Sequence, residues 1–254
     1  MNLLFDIGNT NAVVAVKVNG VFNTWRIGTK SFETEDELFS LIYNLLIFAK
    51  IDFNSIDSIG VASVVPNVDF VIKKFVEKYF GKKVYFLSAE VEVDNIKTSA
   101  DNPKQVGADR YANVIAAKRE YGDNVISIDF GTAITVDVLK GGNFVGGAII
   151  PGFNTSMNAL FSSAAKLPKI DMNIPDYNMG TNTVDNLQIG IIKTTIYGIE
   201  RLVEKIKEDT KTDFKIVCTG GAVKSILDNS YLFESYDPDL TLKGIEIFLE
   251  KSKM

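Results

Sequence analysis

Two short stretches decide the reading of this chain: Leu4-Phe5-Asp6-Ile7-Gly8-Asn9-Thr10 and Ser127-Ile128-Asp129-Phe130-Gly131-Thr132-Ala133. In each, an apolar run ends in a carboxylate and a glycine follows two positions on. Asp6 and Asp129 stand 123 positions apart, and Gly8 and Gly131 keep that offset. Each stretch opens a strand, turn, strand pattern. Residues 11–18 and 21–26 flank Asn19-Gly20, a two-residue hairpin signal. Residues 133–139 and 144–150 flank Lys140-Gly141-Gly142-Asn143, another hairpin. A single Asp-x-Gly is a common strand-to-turn signal. Two copies at strand ends, each followed by a hairpin in the same register, point to an α/β protein built from two copies of one β-β-β-α-type unit. The expected domains are 1–118 and 119–254.

The segments between these stretches are readable from their own signals. Thr34-Glu35-Asp36-Glu37 is a capping box, and Leu38, Leu41, Ile42 and Leu45 follow at helical spacing. Residues 58–64 read as a buried strand, Pro66 opens a helix to Phe80, and 84–87 form another strand. A helix is expected from about 103 to 121, stopped by Gly122. In the second half, 124–129 form a strand and 183–209 a long helix. Its apolar stripe is Leu187, Ile191, Ile192, Thr195, Ile199, Leu202 and Ile206. Residues 214–218 form a strand that runs into Thr219-Gly220-Gly221, with a helix after it, and 239–251 are helical.

Composition removes whole classes of chemistry. The chain has 254 residues, 46% of them hydrophobic and 23% charged, enough for one large core or two small ones. It contains no histidine, which excludes Ser-His-Asp triads, Cys-His pairs and His-ligated zinc. Acid–base work falls to Asp, Glu, Lys, Tyr or solvent. The one cysteine, Cys218, excludes an internal disulfide and reads as a small apolar core residue. A net charge of −5 argues against a general nucleic-acid binder. The amino terminus lacks the basic region of a signal peptide, and the greasiest run, 38–51, is interrupted by Ser40, Asn44 and Lys50. A reduced, cytoplasmic protein without a membrane segment is expected.

Neither common glycine-rich nucleotide cradle is present: G-x-x-x-x-G-K-[ST] and G-x-G-x-x-G are both absent. The acidic turns offer another route to a phosphate. Glycine lets the backbone pass close to a ligand, successive turn amides bind an anion, and Asn9 and Thr10 add side-chain donors. Asp6 can hold Mg²⁺, usually through waters. Asp129-Phe130-Gly131-Thr132 carries the same equipment, so the two turns would grip the phosphates of one nucleotide. Thr219-Gly220-Gly221 offers bare backbone to a base or ribose, or is a plain strand–helix turn.

These residues resemble the superfamily of acetate and sugar kinases, actin and chaperone ATPases. Three further motifs are more specific: Asn102-Pro103-x-x-Val106-Gly107-Ala108-Asp109-Arg110, Gly146-Gly147-Ala148-Ile149-Ile150-Pro151-Gly152, and Asp239-Leu240-Thr241-Leu242-Lys243-Gly244. Taken in order, the set resembles the type III pantothenate kinase family from end to end. The resemblance implies a duplicated actin-like (ribonuclease H-like) fold. It implies ATP-dependent phosphorylation of pantothenate, a homodimer, Mg²⁺ and a monovalent cation, K⁺ or NH4⁺. It further implies ATP binding by Asp6, Ile7, Gly8, Asn9, Thr10, Asn11, Ala12 and Val13, by Gly131 and Thr132, and by Gly220 and Gly221. Asp129 matches the monovalent-cation ligand, and Asp6 is the candidate for Mg²⁺. Gly107, Ala108, Asp109 and Arg110 match the pantothenate segment, with Asp109 the proton acceptor, and Thr183 matches a substrate-contacting threonine.

By spacing alone, Asp109-Arg110 would read as a solvated helix pair, and the stripe of 183–209 as plain core rather than a dimer face. Three positions depart from the family pattern. No aromatic precedes Asn102 in Thr98-Ser99-Ala100-Asp101, Ile134 stands at an often polar position, and Thr181 stands where a lysine is common. The alternatives are a non-catalytic regulatory relative, since the family name has been attached to accessory factors for gene expression, and another small-molecule kinase of the superfamily.

Overall fold

A computed structural model of the chain describes residues 1–164, 167–223, 226, 230 and 235–253. The chain divides into two compact units, Met1–Glu120 with Asp239–Met254, and Tyr121–Pro238. The sequence reading divides the chain once, at 118/119. The tail differs, because its helix packs on the first unit rather than the second.

The first unit holds β1 (Asn2–Ile7), β2 (Asn11–Val18), β3 (Val21–Gly28), α1 (Glu35–Phe48), β4 (Ser58–Ser63), α2 (Pro66–Phe80), β5 (Val84–Phe86) and α3 (Ala108–Tyr121). The second holds β6 (Val125–Phe130), β7 (Ala133–Lys140), β8 (Asn143–Pro151), α4 (Phe153–Ser163), α5 (Thr183–Gln188), a π turn (Ile189–Lys193), α6 (Thr194–Thr210), β9 (Lys215–Thr219) and β10 (Ser235–Tyr236). Helix α7 (Leu240–Ser252) closes the chain. The two sheets run β3-β2-β1-β4-β5 and β8-β7-β6-β9-β10. In both, the first three strands are antiparallel and the last two parallel to the first. This is the duplication anticipated from the repeat, in the actin-like architecture that the resemblance implies.

The local signals hold. Asn19 and Gly20 take φ of 51° and 83°, and Gly141 and Gly142 take 55° and 73°, the left-handed pair that a twisted two-residue hairpin requires. Thr34 and Glu37 form the reciprocal capping box, Glu37 N donating to Thr34 Oγ1 at 3.3 Å and Thr34 N to Glu37 Oε2 at 3.0 Å. The 103–121 helix begins at Ala108, after a separate 3-10 turn at Pro103–Gln105. Helix α4 and the two-residue β10 lie in stretches the sequence reading leaves unassigned. The helix expected after Thr219-Gly220-Gly221 falls for the most part outside the described residues.

Leu3, Phe5 and Ile7 of β1 bury one sheet face of the first unit against Leu38, Ile42 and Leu46 of α1 and Ile72, Phe75 and Val76 of α2. Helix α7 covers the opposite face. A Cβ on Gly60 of β4 would lie 3.2 Å from Ile245 and Leu249, and Lys17 of β2 pairs with Glu246 at 2.7 Å. In the second unit Ile126, Ile128 and Phe130 pack on Ile191, Ile192, Ile196, Ile199 and Val203. Cys218 is wholly buried there, and burial pushes its thiol up to about 12, so it is the inert core residue expected. Among the described residues, no helix is long and apolar enough to cross a membrane.

Helix α7 also fixes α3. A Cβ on Gly244 would sit 1.9 Å from the carbonyl oxygen of Ala112, so the helices cross backbone to backbone one turn into α3. Thr241 Oγ1 donates to Asn113 Oδ1 at 2.7 Å beside that crossing. Gly244→Ala must push the helices apart. It is expected to cost about 3 kcal/mol, read as a drop in the urea midpoint.

Candidate active site

In the first unit the predicted residues gather at the carboxyl end of the sheet. Asp6 is the next-to-last residue of β1, in register with Val13 of β2 and Ala62 of β4. The chain then reverses through Gly8, Asn9 and Thr10. Gly8 N donates to Asn11 O at 3.0 Å, and a Cβ on Gly8 would press that oxygen at 3.2 Å. Ile7 and Ala12 are buried, Asp6, Gly8, Asn11 and Val13 half-buried, and Asn9 and Thr10 exposed. Thr29, which follows β3 and is 5% exposed, ties the turn down. Its hydroxyl donates to Gly8 O at 2.7 Å and its amide to Thr10 O at 3.1 Å.

The segment from Gly107 to Arg110 reaches the same sheet end. Val64, just past β4, donates its amide to Ile7 O at 3.1 Å, and a Cβ on Gly107 would lie 3.6 Å from the Val64 side chain. Gly107 O accepts the first α3 bond, from Tyr111 N at 3.1 Å. The Asp109 carboxylate folds back over this glycine: its Oδ1 accepts from Arg110 N at 2.8 Å and would stand 2.5 Å from a Gly107 Cβ. A carboxylate in the first helical turn is favoured by the free amides and the helix dipole. Ala108 is buried, while Asp109 and Arg110 are half-buried.

The loop before this segment is anchored too. Tyr111 Oη donates to Val91 O at 3.0 Å, and Lys118 Nζ to Asp94 O at 2.9 Å. Burial pushes the Asp94 carboxyl up, but Arg119 and Lys251 together hold it below the ordinary value.

In the second unit, Asp129 lies in register with Thr135 of β7 and Thr219 of β9. Gly131 N donates to Ala133 O at 3.1 Å. The second turn is thus one residue shorter than the first, and the expected common hairpin register slips by one after the glycines. Gly220 takes φ of 97°, and a Cβ there would meet Asp129 Oδ1 at 2.6 Å and both Phe130 backbone N and O at 2.7 Å. The Thr219-Gly220-Gly221 turn therefore lies directly on the acidic turn. Gly152 does the same from the other side: its Cβ would meet Gly131 O and Thr132 O at 2.5 Å. Thr132 O accepts from Gly152 N at 3.1 Å and from Thr155 Oγ1 at 2.7 Å, which seats the start of α4 on this turn. Thr183 stands apart from these residues in sequence and opens α5, exposed, after the capping residue Asn182.

Sequence reasoning missed Thr29, Thr155 and Asp69. The first two act through backbone carbonyls that only the fold brings near. Asp69, in the first turn of α2, has one buried carboxylate oxygen without a partner among the described residues. Burial raises its carboxyl, against a smaller lowering from the Ser63 hydroxyl.

Residues 2–205 match the model of the type III pantothenate kinase family. The chain is also 54% identical over 253 residues to the type III pantothenate kinase of Petrotoga mobilis, covering 100% of this chain and 99% of the relative. The chain belongs to the type III pantothenate kinase family. Two solved structures bear on the fold alone. A Campylobacter jejuni protein assigned to the Baf family of transcriptional activators is 19% identical, with a TM-score of 0.62 over 99% of this chain and 100% of that one. A Cytophaga hutchinsonii protein assigned as a sugar kinase is 12% identical, with a TM-score of 0.52 over 98% and 99%. Among type III pantothenate kinases this chain offers a direct check on the acidic turn. Gly220→Ala is expected to lose roughly 2 kcal/mol in thermal unfolding and to displace the Asp129 side chain in a crystal structure of the variant.

Proposed function

We propose that the chain transfers the γ-phosphoryl group of ATP to the primary hydroxyl of pantothenate. The product is 4'-phosphopantothenate, and the reaction is the first step of coenzyme A biosynthesis. The relative from Petrotoga mobilis carries the name of this activity. The observation that carries the reading for this chain is the Asp109 carboxylate. It is held over Gly107 at the sheet end where the Asp6 turn lies.

Phosphoryl transfer through a loose transition state asks mainly for positioning and charge neutralisation. Asp109 orients the attacking hydroxyl and takes its proton. As the new oxygen–phosphorus bond forms, the bond from the γ-phosphorus to the β–γ bridging oxygen breaks and ADP leaves. A carboxylate suffices as base because the proton moves late. Arg110, a planar fork of donors, pairs with the pantothenate carboxylate, and Gly107 and Ala108 present close backbone. Thr183 supplies a hydroxyl contact.

The turn from Asp6 to Val13 supplies amides and the Asn9 and Thr10 side chains to ATP. The family resemblance assigns ATP contacts to Gly131 and Thr132, and Gly220 and Gly221 offer bare backbone to base or ribose. Among the described residues no group of three His, Cys, Asp or Glu forms a dedicated metal cage. Mg²⁺ asks for none, since it binds through one or two carboxylates, water and substrate phosphates, and Asp6 fits that mode. Bound there, the ion would neutralise charge on the phosphate oxygens. Asp129 would hold K⁺ or NH4⁺, and its setting beside the Phe130 and Gly220 backbone suits a hard cation.

A cytoplasmic homodimer is part of the same proposal. The resemblance to the family supports it.

Purified protein with Mg²⁺, K⁺ and ATP radiolabelled at the γ-phosphoryl is expected to transfer the label to pantothenate. Folded protein that leaves pantothenate unlabelled overturns the reading. Asp109→Asn is expected to lower kcat by roughly a hundredfold to ten-thousandfold with unchanged thermal stability. A wild-type rate in that variant would remove Asp109 from the base role.

A further inference from the structure

Two buried polar side chains of the second unit have no part in the chemistry above. Gln188 is 5% exposed and Lys193 7%. They bracket the π turn, in which Thr194 N donates to Ile189 O five residues back. Residues five apart on an α-helix point about 140° from each other. The wider π turn narrows that angle.

Both side chains reach the same segment, 167–182, which has no helix or strand of its own. Stretches of more than ~12–15 residues without secondary structure are uncommon and usually functional. Gln188 Nε2 donates to Asp171 O at 3.1 Å. Lys193 Nζ donates to Tyr177 O at 2.9 Å and to Asn178 Oδ1 at 2.8 Å. Tyr197 Oη donates to the same Asn178 oxygen at 3.0 Å.

The end of the segment is then closed onto α5. Tyr177 Oη and Asn182 Nδ2 both donate to Asp185 Oδ2, at 2.6 and 2.7 Å. A Cβ on Gly180 would meet Asn186 Oδ1 at 2.6 Å. Every one of these contacts lies within the residues just before Thr183 or in its own helix.

Among the described residues, the Lys193 ammonium faces a carbonyl and a carboxamide oxygen and no carboxylate. Burying a cation on neutral acceptors costs stability that a neutral donor or an apolar contact would not. A fastener needed only for folding has no use for that charge.

We propose that Lys193 is a positioning residue. Through Asn178 and Tyr177 it holds the 177–182 segment, and so places the Thr183 hydroxyl for pantothenate. The inference rests on the assignment of Thr183 to the substrate.

Steady-state kinetics with pantothenate and ATP varied separately test it. Lys193→Met is expected to raise the pantothenate KM at least about tenfold, with kcat and the ATP KM within about twofold. Asn178→Ala, at an exposed residue, is expected to shift the same constant in the same direction, and decides the matter if Lys193→Met does not fold. Asn178→Asp keeps an acceptor for both Lys193 and Tyr197 and is expected to retain the wild-type KM. An unchanged pantothenate KM in the folded variants, or a parallel rise in both KM values, overturns the inference alone. Wild-type protein that does not phosphorylate pantothenate overturns the functional reading and this inference with it.

Discussion

A carboxylate at the end of a central parallel strand must face outward while the chain reverses immediately behind it. The rest of the molecule is arranged around that demand, met twice. Reversal within two or three residues leaves no volume for side chains on the inner side of the turn. Hence the bare positions: a Cβ at Gly220 or Gly152 would strike backbone or carboxylate oxygens of the second turn at 2.5–2.7 Å. Such crowding of backbone around an acidic group sets its direction more firmly than a flexible salt bridge would, because displacing any part moves a strand end.

The two units meet the demand with different parts. In the first, the residue after the third strand is Thr29, whose hydroxyl and amide both tie the turn. In the second, the equivalent residue is Gly152. It supplies only the amide, and the hydroxyl comes from Thr155, in the first turn of α4. The second turn is also a residue shorter. The halves share an architecture and an acidic turn but tie the turn down differently, and one carries helix α3 with Asp109 and Arg110 in its first turn while the other carries the strapped segment before α5.

Much of this was legible in the residues. Period-two and period-3.6 patterns located most strands and helices. Asn19-Gly20, the Thr34–Glu37 box and Gly122 set boundaries by local chemistry that tertiary contacts did not override. Helix α4 was hidden because a glycine caps its start without a side-chain bond, and only Phe153 and Met157 are buried along it. The site was half legible. Asp6 and Asp129 announce themselves by position at strand ends. Asp109 and Arg110 do not, since one acidic and one basic residue in a first turn are ordinary, and only the ordered motifs single them out. Thr29, Thr155 and Lys193 act on carbonyl or carboxamide oxygens distant in sequence, and no local pattern marks such a partner.

The return of α7 to the first unit has a temporal side. One face of the β1–β4 sheet is covered by residues that follow the whole second unit along the chain. A ribosome-bound chain therefore carries Gly60 bare of Ile245 and Leu249 until the second unit has been made. The half that is synthesised first is thus the half whose sheet is covered later.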